Sequence, residues 1–222
     1  MLDIFDILGP VMVGPSSSHT AGAVRIGKMA RTLLGGEVKR AEIGLHGSFA
    51  ETGRGHGTDR ALVAGLLGLQ PDDMDIPRSF ELAAERGVEI SFYTAHLRDA
   101  HPNTAVLEIW NEEGRSLKMQ AASIGGGRIR VDKLGEIDVS FTGAFNTLVI
   151  RHRDIFGEVA NVTRELSKGK INIANMSLCR DRRGGDALMV IEVDHKVPPA
   201  VRSFIAEIPG VNTLTYYERE DA

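Results

Sequence analysis

The chain reads as α+β, with an α/β first unit followed by a smaller sheet unit, and three observations predict this. Runs with apolar residues at helical spacing alternate with short β-branched runs along the whole sequence. The last third keeps the order strand, helix, strand, strand, helix, strand, which is the pattern of a ferredoxin-like sheet. The length of 222 residues leaves room for one large domain or two modest ones, and the change of pattern favours two. The boundary is expected between Val139 and Asn146, giving units 1–145 and 146–222.

In the first unit, Gly14-Pro15-Ser16-Ser17-Ser18-His19-Thr20-Ala21-Gly22 places three hydroxyls and an imidazole just where a helix begins. Ala23, Ile26, Ala30, Leu33 and Leu34 recur at helical spacing and Gly35-Gly36 supplies a stop, so a helix is expected over 18–34. Its first N–H groups lack intrahelical partners and its dipole favours negative charge, so this end suits a carboxylate or phosphate. One serine would suffice as an N-cap, and three followed by His and Thr exceed that need. A serine-protease arrangement is disfavoured, because Ser18 and His19 are sequence neighbours and point apart.

Val38–Leu45 reads as a strand feeding a glycine-dense loop over 47–59, in which Thr58 or Asp59 caps a helix over 60–69. The loop lacks both the phosphate-loop lysine pattern and the dinucleotide spacing, which argues against nucleotide binding. His56 stands between two glycines and is either functional or simply an exposed loop histidine. A polar connection over 71–77 precedes a helix over 79–86 and a strand over 88–94. His19, His46, His56, His96 and His101 form no recognised zinc-ligand spacing and read as scattered. Strands over 104–110 and 116–124 flank the turn Asn111-Glu112-Glu113-Gly114 as a hairpin, and Gly125-Gly126-Gly127 can bring backbone N–H groups up to the same ligand.

The second unit reads as strands over 147–153, 171–179, 187–194 and 211–218, with helices over 157–168 and 199–208. Both helices would cover one face of the sheet and leave the other free to meet a partner.

A net charge of −4 without long basic runs argues against nucleic acid or an anionic membrane as the main partner. No apolar run approaches a membrane span, and Asp3 and Asp6 stand where a secretory signal carries Lys or Arg, so a cytoplasmic protein is expected. The single cysteine, Cys179, excludes an intramolecular disulfide and falls short of the three or four thiolates that an iron–sulfur cluster takes.

Gly-Pro-Ser-Ser-Ser-His-Thr at 14–20, Gly-Ser at 47–48 with Thr-Gly-Arg-Gly-His-Gly-Thr-Asp at 52–59, His-Pro-Asn at 101–103 and Ser-Ile-Gly-Gly-Gly at 123–127 together resemble the beta chain of iron–sulfur-dependent L-serine dehydratase. The likeness extends over essentially the whole chain: 1–145 resembles an allosteric-substrate-binding-type domain, also met in some phosphoglycerate dehydrogenases, and 147–222 an ACT domain. The resemblance implies conversion of L-serine to pyruvate and ammonia, with a 4Fe-4S cluster ligated by a separate alpha chain and no pyridoxal phosphate. The open iron of that cluster would act as a Lewis acid on the leaving hydroxyl. By matching motif positions, His19 and His56 are the candidates for proton transfer, while Ser16, Ser17, Ser18 and Thr20 would hold the substrate carboxylate, with Gly125 and Gly126 beside them. Which histidine serves which atom of the substrate is left open.

In the ACT-like part, the resemblance to serine-binding ACT domains matches effector contacts to His152, Asp154 and Asn172, near the glycine that opens the first helix, Gly157. Asp154 stands where that pattern has Asn, and Phe156 where it has Pro. A homodimer through this unit is expected, with L-serine the first candidate effector; a purely structural dimerisation sheet is the alternative. At the level of the whole protein, the alternative is a stand-alone amino-acid sensor without catalysis.

Overall fold

The computed structural model describes residues 11–219; Asp3 and Asp6, the acids that bear on localisation, lie outside them. The chain divides into two compact units after Gly135.

The first unit opens with a π-helical turn, Ser18–Gly22, that runs directly into α1 (Ala23–Leu34). Then follow β1 (Val38–Leu45), α2 (Ser48–His56), α3 (Thr58–Leu66), a short 3-10 turn, α4 (Ser79–Glu85), β2 (Glu89–Thr94), β3 (Thr104–Asn111), β4 (Ser116–Gly125) and β5 (Arg128–Leu134). β6 (Ile137–Phe141) follows as the chain passes into the second unit. Within the first unit the strand order is β2-β1-β3-β4-β5. β1 and β2 run parallel, as the intervening helices require, and β1–β3, β3–β4 and β4–β5 are antiparallel.

The core is built from α1 and α3 against the sheet, with Ile26, Met29, Ile43, Leu62, Leu66, Leu107, Ile109 and Met119 fully buried. Two glycines let the helices approach. A Cβ at Gly65 would overlap the Val24 carbonyl, and one at Gly27 would overlap the Leu62 carbonyl. The backbones of α1 and α3 therefore touch where these residues meet.

The glycine-dense segment expected to be a loop is instead α2. Phe49 is fully buried and anchors it, and that burial offsets the roughly 1 kcal/mol that each interior glycine costs a helix. The break comes only at Gly57, whose φ of 72° ends α2 and starts α3. Neither Thr58 nor Asp59 caps α3: the capping position is Gly57, and the Asp59 carboxylate takes the Arg60 N–H at 2.8 Å instead. β5 and β6 are additions to the expected elements, although Arg128-Ile129-Arg130-Val131 alternates charged with buried apolar residues.

The second unit comprises β7 (Asn146–Arg153), α5 (Glu158–Lys168), β8 (Ile173–Arg180), β9 (Asp186–Val193), α6 (Pro199–Ala206) and β10 (Val211–Tyr217). Its strand order, β10-β7-β9-β8, makes it ferredoxin-like, with β8 and β10 at the edges. Leu148, Ile150, Val162, Leu166, Met189, Ile191 and Ile205 form the core under the helices. The opposite face is not left open as expected. Leu188, Val190 and Glu192, which alternate with the core residues of β9, are also buried, and β6 packs against β8 and β9.

Among the described residues no helix is long and apolar enough to cross a membrane.

Candidate active site

The π-helical turn presents His19. Its wider winding is closed by the Gly22 N–H on the Ser17 carbonyl at 2.8 Å, and such turns recur at functional sites. Gly22 is required here by packing, since a Cβ would collide with the Ser123 hydroxyl of β4. Of the three serines, Ser16 does the capping: its Oγ accepts the His19 N–H at 3.3 Å and stands 3.3 Å from His19 Nδ1. Ser17, at the formal capping position, makes no side-chain cap.

α2 supplies the other side. Ser48, Thr52 and His56 follow at intervals of four, so they lie along one stripe of the helix. Ser48 Oγ and Thr52 Oγ1 stand 3.4 and 3.2 Å from His19 Nε2. His56 Nδ1 meets the Thr52 carbonyl at 3.2 Å. The two imidazoles lie 5.0 Å apart, and Phe49 meets His19 edge-on at 5.2 Å. Burial first, and then the neighbouring His56, lower the pKa of His19, against an opposing hydrogen bond to the Ser48 backbone. His19 is therefore held neutral at neutral pH, whereas His56 is exposed.

The structure thus brings together His19, His56 and Ser16 from the expected set. Ser17 and Ser18 are half-buried in the same turn. Thr20 is buried, backed by Gly14, whose missing Cβ would overlap the Thr20 hydroxyl. Gly125 and Gly126 come shortly after Ser123, with open space at the Cβ position of Gly125 and the Arg128 side chain 4.0 Å from that of Gly126, and Arg25 of α1 ties the same loop down through the Gly127 carbonyl at 2.8 Å. The His101-Pro102-Asn103 segment braces the site: the Pro102 carbonyl takes the Phe49 N–H and the Asn103 carbonyl takes the Ser123 N–H. Ser48 and Thr52 escape sequence reasoning as site residues. The signal that could have found them is their spacing of four from His56, visible only once 48–56 is read as a helix.

The expected effector residues do not meet within one chain. His152 and Asp154 lie together at the end of β7, where His152 pairs with Ala187. Asn172 precedes Ile173, which pairs with Val193 at the other end of β9. Opposite ends of the sheet therefore separate Asn172 from the other two, and its amide bonds Asp194 at 2.6 Å. Asp154 is already engaged: it accepts from Arg180 at 2.7 Å and from the Gly184 N–H at 2.9 Å, which together hold its carboxyl below the usual range, Gly184 foremost. His152 is buried with its Nδ1 on the Arg153 carbonyl at 2.8 Å and its Nε2 without a partner.

The donor set for an iron–sulfur cluster is not here. Cys179 is the single thiol, and among the described residues no three His, Cys, Asp or Glu side chains converge as a metal site.

Residues 1–133 match the family of the serine dehydratase beta chain. The chain is 41% identical over 212 residues to a probable L-serine dehydratase, beta chain, of Bacillus subtilis, covering 96% of each. It is 35% identical over 215 residues to the L-serine dehydratase, beta chain, of Peptoniphilus asaccharolyticus, covering 96% of this chain and 97% of the relative. A D-3-phosphoglycerate dehydrogenase of Archaeoglobus fulgidus is 27% identical over 88% of this chain and 37% of its own length. Since the matched residues 1–133 include both histidines and the likeness to two beta chains runs nearly end to end, this chain belongs to the serine dehydratase beta chain family.

Proposed function

We propose that this chain is the substrate-binding and proton-transferring half of an iron–sulfur L-serine dehydratase, acting with an alpha chain on L-serine to give pyruvate and ammonia in the cytoplasm. The observation that carries this reading is the His19–His56 pair, 5.0 Å apart at an exposed rim. Closure of a site over its reacting atoms excludes bulk water, and this rim, with His56 and Thr52 exposed, excludes none by itself. A partner chain placed over it would close the site.

The residues present do not make a cluster site, so any cluster is the partner's, and what falls to this chain is to bind the substrate and move its protons. Loss of water from L-serine requires removal of the Cα proton and departure of the Cβ hydroxyl with a proton. The resulting 2-aminoacrylate tautomerises to an imine, and water then releases ammonia and pyruvate. His56 is the better placed base, because its Nδ1–H points to a carbonyl and its Nε2 lone pair is open to the rim. His19 has both nitrogens engaged by hydroxyls, which holds its ring in place beside His56. Ser17 and Ser18, with Gly125 and Gly126, are the carboxylate donors in this reading.

The test uses the chain reconstituted with its alpha chain. His56→Ala and His19→Ala should each lower kcat by roughly 10²-fold or more with the fold intact, and the chain alone should be inactive on L-serine. Near-normal turnover of both variants, or dehydration by the isolated chain, would overturn the reading.

We further propose that the second unit is an ACT domain that pairs with a second copy along the β8 edge and binds L-serine at the junction. Antiparallel pairing of two β8 strands sets the start of one against the end of the other. It would therefore carry Asn172 of one copy towards Arg180 and Asp154 of the other, which a single chain holds apart.

A further inference from the structure

Among the described residues Thr52 bonds to both histidines, and its hydrogen bonds are directional. Its hydroxyl donates to the Ser48 carbonyl at 2.8 Å. With that proton committed, Oγ1 can only accept at the 3.2 Å contact with His19 Nε2, so Nε2 carries the hydrogen, which Ser48 Oγ at 3.4 Å is placed to share. Nδ1 of His19 is then the bare nitrogen, and it receives the Ser16 O–H at 3.3 Å, while Ser16 Oγ accepts the His19 backbone N–H. The Thr52 carbonyl, which can only accept, places the hydrogen of His56 on Nδ1 at 3.2 Å. The two rings thus hold opposite tautomers.

We propose that Thr52 is the positioning residue of the histidine pair, its hydroxyl fixing His19 as the Nε2–H form and its carbonyl fixing His56 as the Nδ1–H form with Nε2 bare towards the rim. The part concerning turnover rests on the dehydratase reading; the tautomers stand on the hydrogen bonds alone. In this role Thr52 acts through the rings.

The experiment is nitrogen-15 spectroscopy of histidine-labelled full-length chain at neutral pH, on wild type, Thr52→Val and Thr52→Ser, followed by turnover of each with the alpha chain. Valine keeps the shape and the carbonyl but loses the hydroxyl. The expected result is His19 protonated on Nε2 and His56 on Nδ1 in wild type. Thr52→Val, which leaves only Ser48 Oγ at 3.4 Å beside Nε2, should lose most of the His19 Nε2–H signal, keep the His56 tautomer, and lower kcat about tenfold with little change in KM. Thr52→Ser should restore both. His19 protonated on Nδ1, His56 protonated on Nε2, or a His19 signal unchanged in Thr52→Val would overturn the proposal. Unchanged turnover in Thr52→Val after loss of the signal would overturn the positioning role. A wild-type complex with the expected spectra but no action on L-serine would overturn the dehydratase reading instead, leaving the tautomer assignment upheld.

Discussion

The imidazole of His19 stands 5.0 Å from that of His56, its plane tilted by 46°, one ring on the π-helical turn and the other at the last residue of α2. A proton on His56 therefore repels one on His19. Burial is the larger cause of the lowered His19 pKa and His56 the second. His56→Ala should raise the His19 value part of the way back towards 6.5, because burial remains. The sign for stability follows. Well above pH 6.5 neither folded nor unfolded His19 is charged, and as pH falls towards and below that value the unfolded chain takes up the proton first. Stability should fall with pH until the lowered folded value is passed, and more shallowly in His56→Ala. Ring-proton titration and denaturant unfolding across this window measure both; a His19 value at or above the ordinary one would contradict the geometry.

A different prediction concerns the crossing of α1 and α3. A Cβ at Gly65 would meet the Val24 carbonyl and the Lys28 nitrogen, both backbone atoms that cannot turn aside. Gly65→Ala should destabilise by about 3 kcal/mol, at the upper end of overpacking costs, or prevent folding. Gly55, inside α2, has open space around its missing Cβ. Gly55→Ala should stabilise by about 0.5–1 kcal/mol, the difference in helix cost between the two residues. Urea unfolding of the two variants side by side decides it, and equal effects would show that the helices do not meet through these glycines.

Asp154 gives a prediction at the other end of the pH scale. Its carboxylate holds the hairpin turn through the Gly184 N–H and Arg180, and these contacts lower its pKa from 3.8. A lowered carboxylate contributes stability that is complete above 3.8 and lost as pH falls through the folded value below it. Protection of the Gly184 amide, its exchange rate set against the intrinsic rate at the same pH, should therefore hold at pH above 3.8 and fall beneath it. In Asp154→Ala that protection should be missing throughout, and full protection in that variant would mean that the turn holds itself.

How far the sequence reaches depends on whether local pattern and tertiary packing agree. The second unit is legible almost residue by residue, because β-branched alternation and turn residues point the same way there as the sheet does. The segment 48–56 is not, since Gly53 and Gly55 argue locally for a loop, and only the burial of Phe49 makes it a helix. That one difference hides the site's organisation. His19 and His56 stand out from their motifs, but Ser48 and Thr52 become partners of His19 only when the helix stacks them on one stripe with His56. Likewise His152, Asp154 and Asn172 are grouped by resemblance, whereas strand direction places Asn172 at the far end of the sheet.

That separation turns the effector proposal into a test of assembly. If Asn172 cannot reach Asp154 in its own chain, a ligand touching both needs two copies, so binding and pairing must rise and fall together. Sedimentation of the full-length chain with and without L-serine should show a dimer that L-serine strengthens, while calorimetry gives the affinity. Asn172→Ala should weaken binding by about 1–3 kcal/mol, the cost of leaving a polar partner unpaired. Asn172 also bonds Asp194 at 2.6 Å, so Asp194→Ala serves as the control: it removes that bond but leaves the Asn172 amide free for ligand, and should not weaken binding. A dimer indifferent to L-serine would leave the unit a structural role only, and the engaged carboxylate of Asp154 would account for it. A monomer that ignores L-serine at high concentration would remove both the pairing and the effector.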